Sequence, residues 1–165
     1  MIPTAEAFAA FEHTLQAQGA RAALAYLVGL TSYRFIGIFR FSGGMANAVI
    51  HVDREYPEVL RIDAVPETAT YCCYVRDGRG LFTTVDALTD PRLRNHAARA
   101  AIRAYCGVPL MSPEGELLGT LCHYDVVPRD ADELDLPLLL QAASALVTGH
   151  HVPPYPQAAG ATPAG

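Results

Sequence analysis

The chain has 165 residues, 51% of them apolar and 18% charged, enough for one hydrophobic core and too apolar for a disordered chain. Its 12 Lys and Arg against 17 Asp and Glu give a net charge of −5, which argues against nucleic-acid binding. No stretch of the sequence is long and apolar enough to span a bilayer, so no membrane role is expected.

The first element predicted is a helix over Thr4–Gln18, with Thr4 as N-cap and Phe8, Phe11 and Leu15 at helical spacing. Met1 to Ala10 carry Glu6 and no basic residue, which does not read as a signal peptide. Gly19 ends that helix, and Ala20–Leu30 forms a second, with Leu24, Leu27 and Val28 on one side. The period then changes. Arg34–Phe41 and Ala46–Asp53 are rich in strand formers and flank Ser42-Gly43-Gly44, which predicts an antiparallel hairpin. Tyr56-Pro57 breaks it, and a short strand is expected over Val59–Val65. A helical patch, Thr68–Arg76, stops at Gly78 and Gly80, before a short strand at Leu81–Val85. Asp86–Ala101 is irregular, with a turn at Asp90-Pro91. Ala104–Met111 and Glu116–Val126 form a second hairpin around Ser112-Pro113-Glu114-Gly115. After a loop at Pro128–Ala131 comes a helix over Asp132–Val147, where Pro137 is best placed if Asp135 is the N-cap. Residues 1–150 read as one domain, and the Pro-, Ala- and Gly-rich residues 151–165 as a disordered tail.

These elements imply an α+β fold, a central antiparallel sheet with helices on both faces. The first and last helices would share one sheet face and leave an Ala/Leu/Phe stripe suited to a homodimer. Four cysteines without a C-x-x-C make neither a disulfide scaffold nor a metal site, so a reduced, cytoplasmic setting is expected.

Tyr105-Cys106-Gly107-Val108-Pro109-Leu110, Pro113-Glu114-Gly115, Leu118-Gly119-Thr120-Leu121-Cys122, Asp125 and Pro128-Arg129 follow one another in a recognisable order. Upstream lie Tyr71-Cys72, Asp86-Ala87 and Asp90-Pro91-Arg92. Together this pattern resembles GAF domains of bacterial signalling proteins. The resemblance implies a pocket between the sheet and the irregular segment from about Pro66 to Arg103. It also implies a small-molecule effector, of no class that can be named, and control of a partner protein or of the chain's own dimer. No output domain is recognised in this sequence. A ligand in such a pocket is expected to meet Cys73, Asp86, Arg92, His96, Tyr105 and His123.

Counting back from the tight turn, Ser112 faces Glu116, so Cys106 would face Cys122 and Tyr105 would face His123. On that register Tyr105 and His123 share one sheet face, and Cys106 and Cys122 the other, where they would pack as small hydrophobes or form a redox pair. His123 would be a pocket donor, a haem ligand, or a core histidine bonded to Tyr105. Asp86 would accept from a ligand or cap a turn. Arg92 and His96 would hold an anion or lie solvated. Cys72-Cys73 invites comparison with free methionine-R-sulfoxide reductases, which are GAF proteins, but Arg76-Asp77-Gly78-Arg79-Gly80 lacks their cysteine-bearing loop.

A sensory regulatory domain is therefore expected. A thiol reductase or redox sensor on the same fold is one alternative. An interaction module with a vestigial pocket is the other.

Overall fold

Ala7, Phe11 and Leu15 recur one helical turn apart and are buried along one side of helix α1 (Thr4–Gln18). They pack with Ala23, Leu24, Leu27 and Val28 of α2 (Ala20–Gly29) and with Leu138, Leu139, Ala142, Ala143, Leu146 and Val147 of α4 (Leu136–Thr148). These three helices cover one face of a six-stranded antiparallel sheet in the computed structural model, which describes residues 2–156. The strands are β1 (Phe35–Ser42), β2 (Met45–Asp53), β3 (Val65–Pro66), β4 (Phe82–Thr84), β5 (Ala104–Met111) and β6 (Leu117–Asp125), in the order β3-β2-β1-β6-β5-β4. The short helix α3 (Cys72–Gly78) and the irregular connections lie on the other face, over a second core of Phe39, Tyr71, Cys72, Val75, Leu93, Tyr105 and Cys122.

The element boundaries follow local chemistry. Gly43 and Gly44 both take positive φ, 58° and 79°, as the two-residue turn between β1 and β2 requires. Asp135 caps α4 by accepting from the Leu138 amide, with the proline just inside the first turn. Thr4 is not a cap: it is the first helical residue, and its hydroxyl instead donates to Asp135 at 2.6 Å, tying α1 to α4. Val59–Val65 is not a strand, since only Val65 and Pro66 pair, and Val59 and Leu60 stay exposed. The tail divides. Residues 151–156 hold no helix or strand, and the Pro153 carbonyl accepts from Arg40 of β1. The rest of the expected tail lies outside the described residues.

One irregularity decides which face each β6 side chain takes. Ser112 does face Glu116, and Gly115 takes φ 84° in the tight loop. Past it, Met111 pairs with Leu117 but Leu110 with Gly119, leaving Leu118 as an extra residue. Such a bulge moves every later β6 residue to the opposite face. Cys106 therefore faces His123, Tyr105 faces Tyr124, and Gly107 faces Cys122, in place of the pairs counted from the turn.

Candidate functional site

On the α3 side of the sheet a cavity of about 150 Å³ is lined chiefly by Phe39, Ile62, Val65, Tyr71, Ile102, Tyr105 and Tyr124, with Asp63, Thr70 and Cys72 adding polar atoms. β1, β5 and β6 form its floor, and the connections on either side of α3 form its walls. A volume near 150 Å³ suits a group of about one aromatic ring.

Tyr105 is the central polar group of the floor. Its ring folds across Gly107, where an added Cβ would lie 2.8 Å from Tyr105 Cε1 and 2.7 Å from Val75 Cγ2. The hydroxyl reaches the buried thiols of Cys122 at 2.8 Å and Cys72 at 3.3 Å, and the two sulfurs stand 3.4 Å apart. Thr120 Oγ1 approaches Cys122 Sγ at 3.2 Å. Burial opposes ionisation of both thiols. Around Cys72, bonds from Cys122, Tyr105, Thr70 and Thr120 outweigh it and favour the thiolate, while Cys122 is pushed well above the ordinary thiol range. Burial also drives the Tyr105 phenol well up, so the hydroxyl keeps its proton.

The neighbouring part of the floor is a second polar pair. The His51 ring, through Nε2, meets the Tyr124 hydroxyl, and Phe35 stacks on Tyr124 at 4.7 Å. Burial lowers His51 to about 4, so the imidazole is neutral near pH 7. Above the floor, the Tyr71 hydroxyl donates to the Ile102 carbonyl at 2.8 Å, and its ring stands edge-on to Tyr105.

The structure brings only part of the expected set together. Tyr105 lines the cavity. His96 stands behind Tyr71, ring centroids 4.7 Å apart, donating from Nε2 to the Thr70 carbonyl and accepting at Nδ1 from the Ala98 amide. It lines a separate surface cleft with Arg92, Arg94 and Tyr74. Arg92 is held by Asp90 at 2.7 Å, donates to the Thr83 carbonyl and lies 4.6 Å over the Phe82 ring. Asp86 sits outside the cavity in a two-pronged pair with Arg103. The Cys73 thiol, half-buried, donates to the Thr70 carbonyl, and burial followed by nearby Asp77 raises its pKa.

Two expectations are corrected by the β6 bulge. Cys106 and Cys122 point to opposite faces and cannot meet, and the partner of Cys122 is Cys72. His123 lies under the terminal helices, not in the cavity with Tyr105, and makes no bond to it. The sequence does not single out Tyr124 or His51, and it marks Tyr71 and Cys72 only as pattern residues, Cys72 also as half of the Cys72-Cys73 pair. Alternation puts Tyr124 on the same face as Cys122 in either register, and the bulge makes that face the one Tyr105 occupies.

The profile of the GAF domain matches residues 6–149. A cyclic di-GMP phosphodiesterase of Pseudomonas aeruginosa is 40% identical over 73 residues, which are 42% of this chain and 12% of that protein. The chain thus spans a small fraction of the curated relative it matches. Among solved structures, the GAF domain of an Acinetobacter phosphoenolpyruvate-protein phosphotransferase superposes with a TM-score of 0.70 at 12% identity, covering 91% of this chain and 96% of that one. The free methionine-R-sulfoxide reductase of Neisseria meningitidis, solved with its substrate, gives 0.66 at 19% identity, covering 88% and 86%. The chromophore-binding domain of a bacteriophytochrome from R. palustris gives 0.63 at 9% identity, covering 88% and 60%. At these identities the structural likeness is one of fold.

Proposed function

The chain belongs to the GAF domain family, and on that premise we propose that it is a sensory domain whose effector is a small molecule bound in the cavity over Tyr105 and Tyr124. The observation that carries this reading is a mostly apolar pocket with a few convergent polar groups, the usual composition of a small-molecule site. Tyr105, Tyr124 and Thr70 would fix the orientation of the ligand's polar end, and the Tyr71 and Phe39 rings would hold its body. The wall residues Ile62 and Asp63 belong to a connection without helix or strand, so closing over a ligand would order that connection. Helices α1 and α4, on the far face, would carry the response to a homodimer interface or a signalling partner in the cytoplasm. Among the described residues no helix is long and apolar enough to cross a membrane, which fits that setting.

Native mass spectrometry of the purified chain, with thermal-shift titration of single-ring effectors, tests the reading. An added small mass lost on denaturation, or stabilisation that Tyr124→Phe and Tyr105→Phe weaken, is the expected result. No bound mass and no stabilisation would move the weight to an interaction module with a vestigial pocket.

One observation favours a redox-sensing version of the same site: Cys72 and Cys122 lie within a small displacement of bonding distance. Hydrogen peroxide would take two electrons and both thiol protons from the pair, leaving a disulfide and two waters. A Cys72–Cys122 crosslinked peptide after peroxide treatment supports this version, and its absence removes it.

A further inference from the structure

The opposite face of the sheet holds a buried histidine that the sensory pocket does not use. His123 is 1% exposed, and neither ring nitrogen has a hydrogen-bond partner among the described residues. Buried polar groups are normally paired, because an unpaired one loses its bonds to water and gains nothing in return. The imidazole lies at the floor of a cavity of about 320 Å³ framed by the end of α2, the 133–135 connection and the first turn of α4. Its walls are Leu27, Leu30, Leu134, Leu138 and Leu139. That volume is at the lower end of the range for small-molecule pockets, roughly 300–1,000 Å³. The ring of Tyr33 stands edge-on to His123 at 5.9 Å, and its hydroxyl is also buried without a partner.

The surroundings select the ligand. Burial lowers His123 to about 4, so at neutral pH the ring offers one N–H donor and one bare nitrogen acceptor. A group that both donates and accepts, such as a hydroxyl or a primary amide, complements it. Apart from Thr31, whose hydroxyl donates to the Val28 carbonyl, the other polar lining residues are Glu133 and Asp135, whose carboxylates repel an anion. Both are already engaged. Glu133 accepts from the Ser32 amide and hydroxyl, and Asp135 from the Thr4 hydroxyl and the Leu138 amide, so neither calls for a cationic ligand.

We propose that this cavity is a second ligand site, on the helical face of the sheet, for a small neutral apolar molecule whose one hydroxyl or amide binds the His123 ring. Because its walls come from α2 and α4, with Ala7 of α1 alongside, occupancy acts on the helix layer directly. The α3-side cavity need not be filled for this to happen.

The test is NMR of the protein labelled with ring-¹⁵N histidine, titrated with benzyl alcohol, cyclohexanol and benzamide. Toluene and benzoate serve as matched probes without the polar group or with a negative charge. At least one neutral polar probe is expected to move the His123 ring resonances saturably. It should bind at least tenfold more tightly than toluene, with benzoate causing no shift. His123→Leu should abolish the thermal stabilisation by that probe. If His123→Leu fails to fold, the ring resonances of the unaltered protein decide alone. Unmoved His123 resonances with all three neutral probes would overturn the site, as would a ring N–H held by water only. Equal response to toluene or to benzoate would overturn the ligand class.

Discussion

Cys72, at the start of α3, and Cys122, in the middle of β6, meet sulfur to sulfur at 3.4 Å under the hydroxyl of Tyr105. That contact joins the helix to the sheet at the floor of the sensory cavity. Tyr105→Phe removes the hydroxyl while keeping the ring. It leaves the Cys72 and Cys122 thiols with one fewer partner in a buried place, and is expected to lower stability by about 1–2 kcal/mol. Urea denaturation of the two proteins measures it. In the native wild type, a thiol reagent should modify Cys73 slowly and leave Cys72, Cys106 and Cys122 unmodified until the chain unfolds, since only Cys73 is not fully buried.

Gly107 explains why that tyrosine can lie where it does. A methyl group there meets both the Tyr105 ring and Val75 of α3 well inside van der Waals distance. Gly107→Ala should therefore push the ring or the helix outward, at about 1–3 kcal/mol, the usual range for overpacking a core. Its diagnostic effect is local. Cys122 should become reactive toward thiol reagents in a chain that circular dichroism still shows to be folded. Unchanged Cys122 protection would show that the methyl is absorbed elsewhere.

Much of this fold was legible in the sequence because its signals are local. Apolar spacing and glycine turns set the limits of α1 and β5 residue for residue, whereas the last helix, expected from Asp132, begins at Leu136 behind its Asp135 cap, and 131–133 form a separate short turn of helix. The candidate site was less legible, for a physical reason. A bulge at Leu118 is a choice between two registers that the turn sequence does not encode, and one residue of slip exchanges the two faces. Tyr105 does line the cavity, while His123 and the partner of Cys122 lie on faces other than those counted from the turn. The acidic and basic motif residues raise a different ambiguity. Asp86, Arg92 and Asp125 are charged residues that could hold a ligand, yet each is paired with a neighbour that the sequence alone did not identify.

Asp125 shows what such pairing does. Its side chain is 2% exposed, accepts from Arg129 Nε at 2.7 Å and from the Arg34 amide at 3.0 Å, and so fastens the end of β6 to the start of β1. Asp125→Ala leaves Arg129 and that amide without their acceptor. A loss of about 1–3 kcal/mol is expected for the buried donors left unsatisfied, since Arg129 itself is 29% exposed and keeps its bond to the Ser32 hydroxyl. Asp125→Asn, which keeps one acceptor oxygen, should lose less. Equal losses in the two variants would mean that charge, rather than hydrogen bonding, holds the junction.

The two buried histidines predict how stability depends on pH. His51 and His123 are both lowered by burial to about 4 in the folded chain, against an ordinary value of about 6.5. Between those values the unfolded chain takes up protons that the folded chain refuses, so unfolding is favoured as pH falls. The stability they contribute is complete above about pH 7 and is lost progressively down to about pH 4. Each histidine accounts for up to about 3 kcal/mol, with a combined mid-range slope of about 2.7 kcal/mol per pH unit. Asp53 and Asp90 are lowered by bonds from Arg34 and Arg92, so they act in the same direction but at lower pH. Denaturation midpoints at pH 7.5, 6.0 and 4.5 measure the slope. His123→Leu should remove about half of it and, by replacing an unpaired imidazole with an apolar side chain, raise stability at pH 4.5 more than at pH 7.5. A slope that His123→Leu leaves unchanged would mean that the folded chain protonates this ring near its ordinary value, and that its nitrogens find partners in solution.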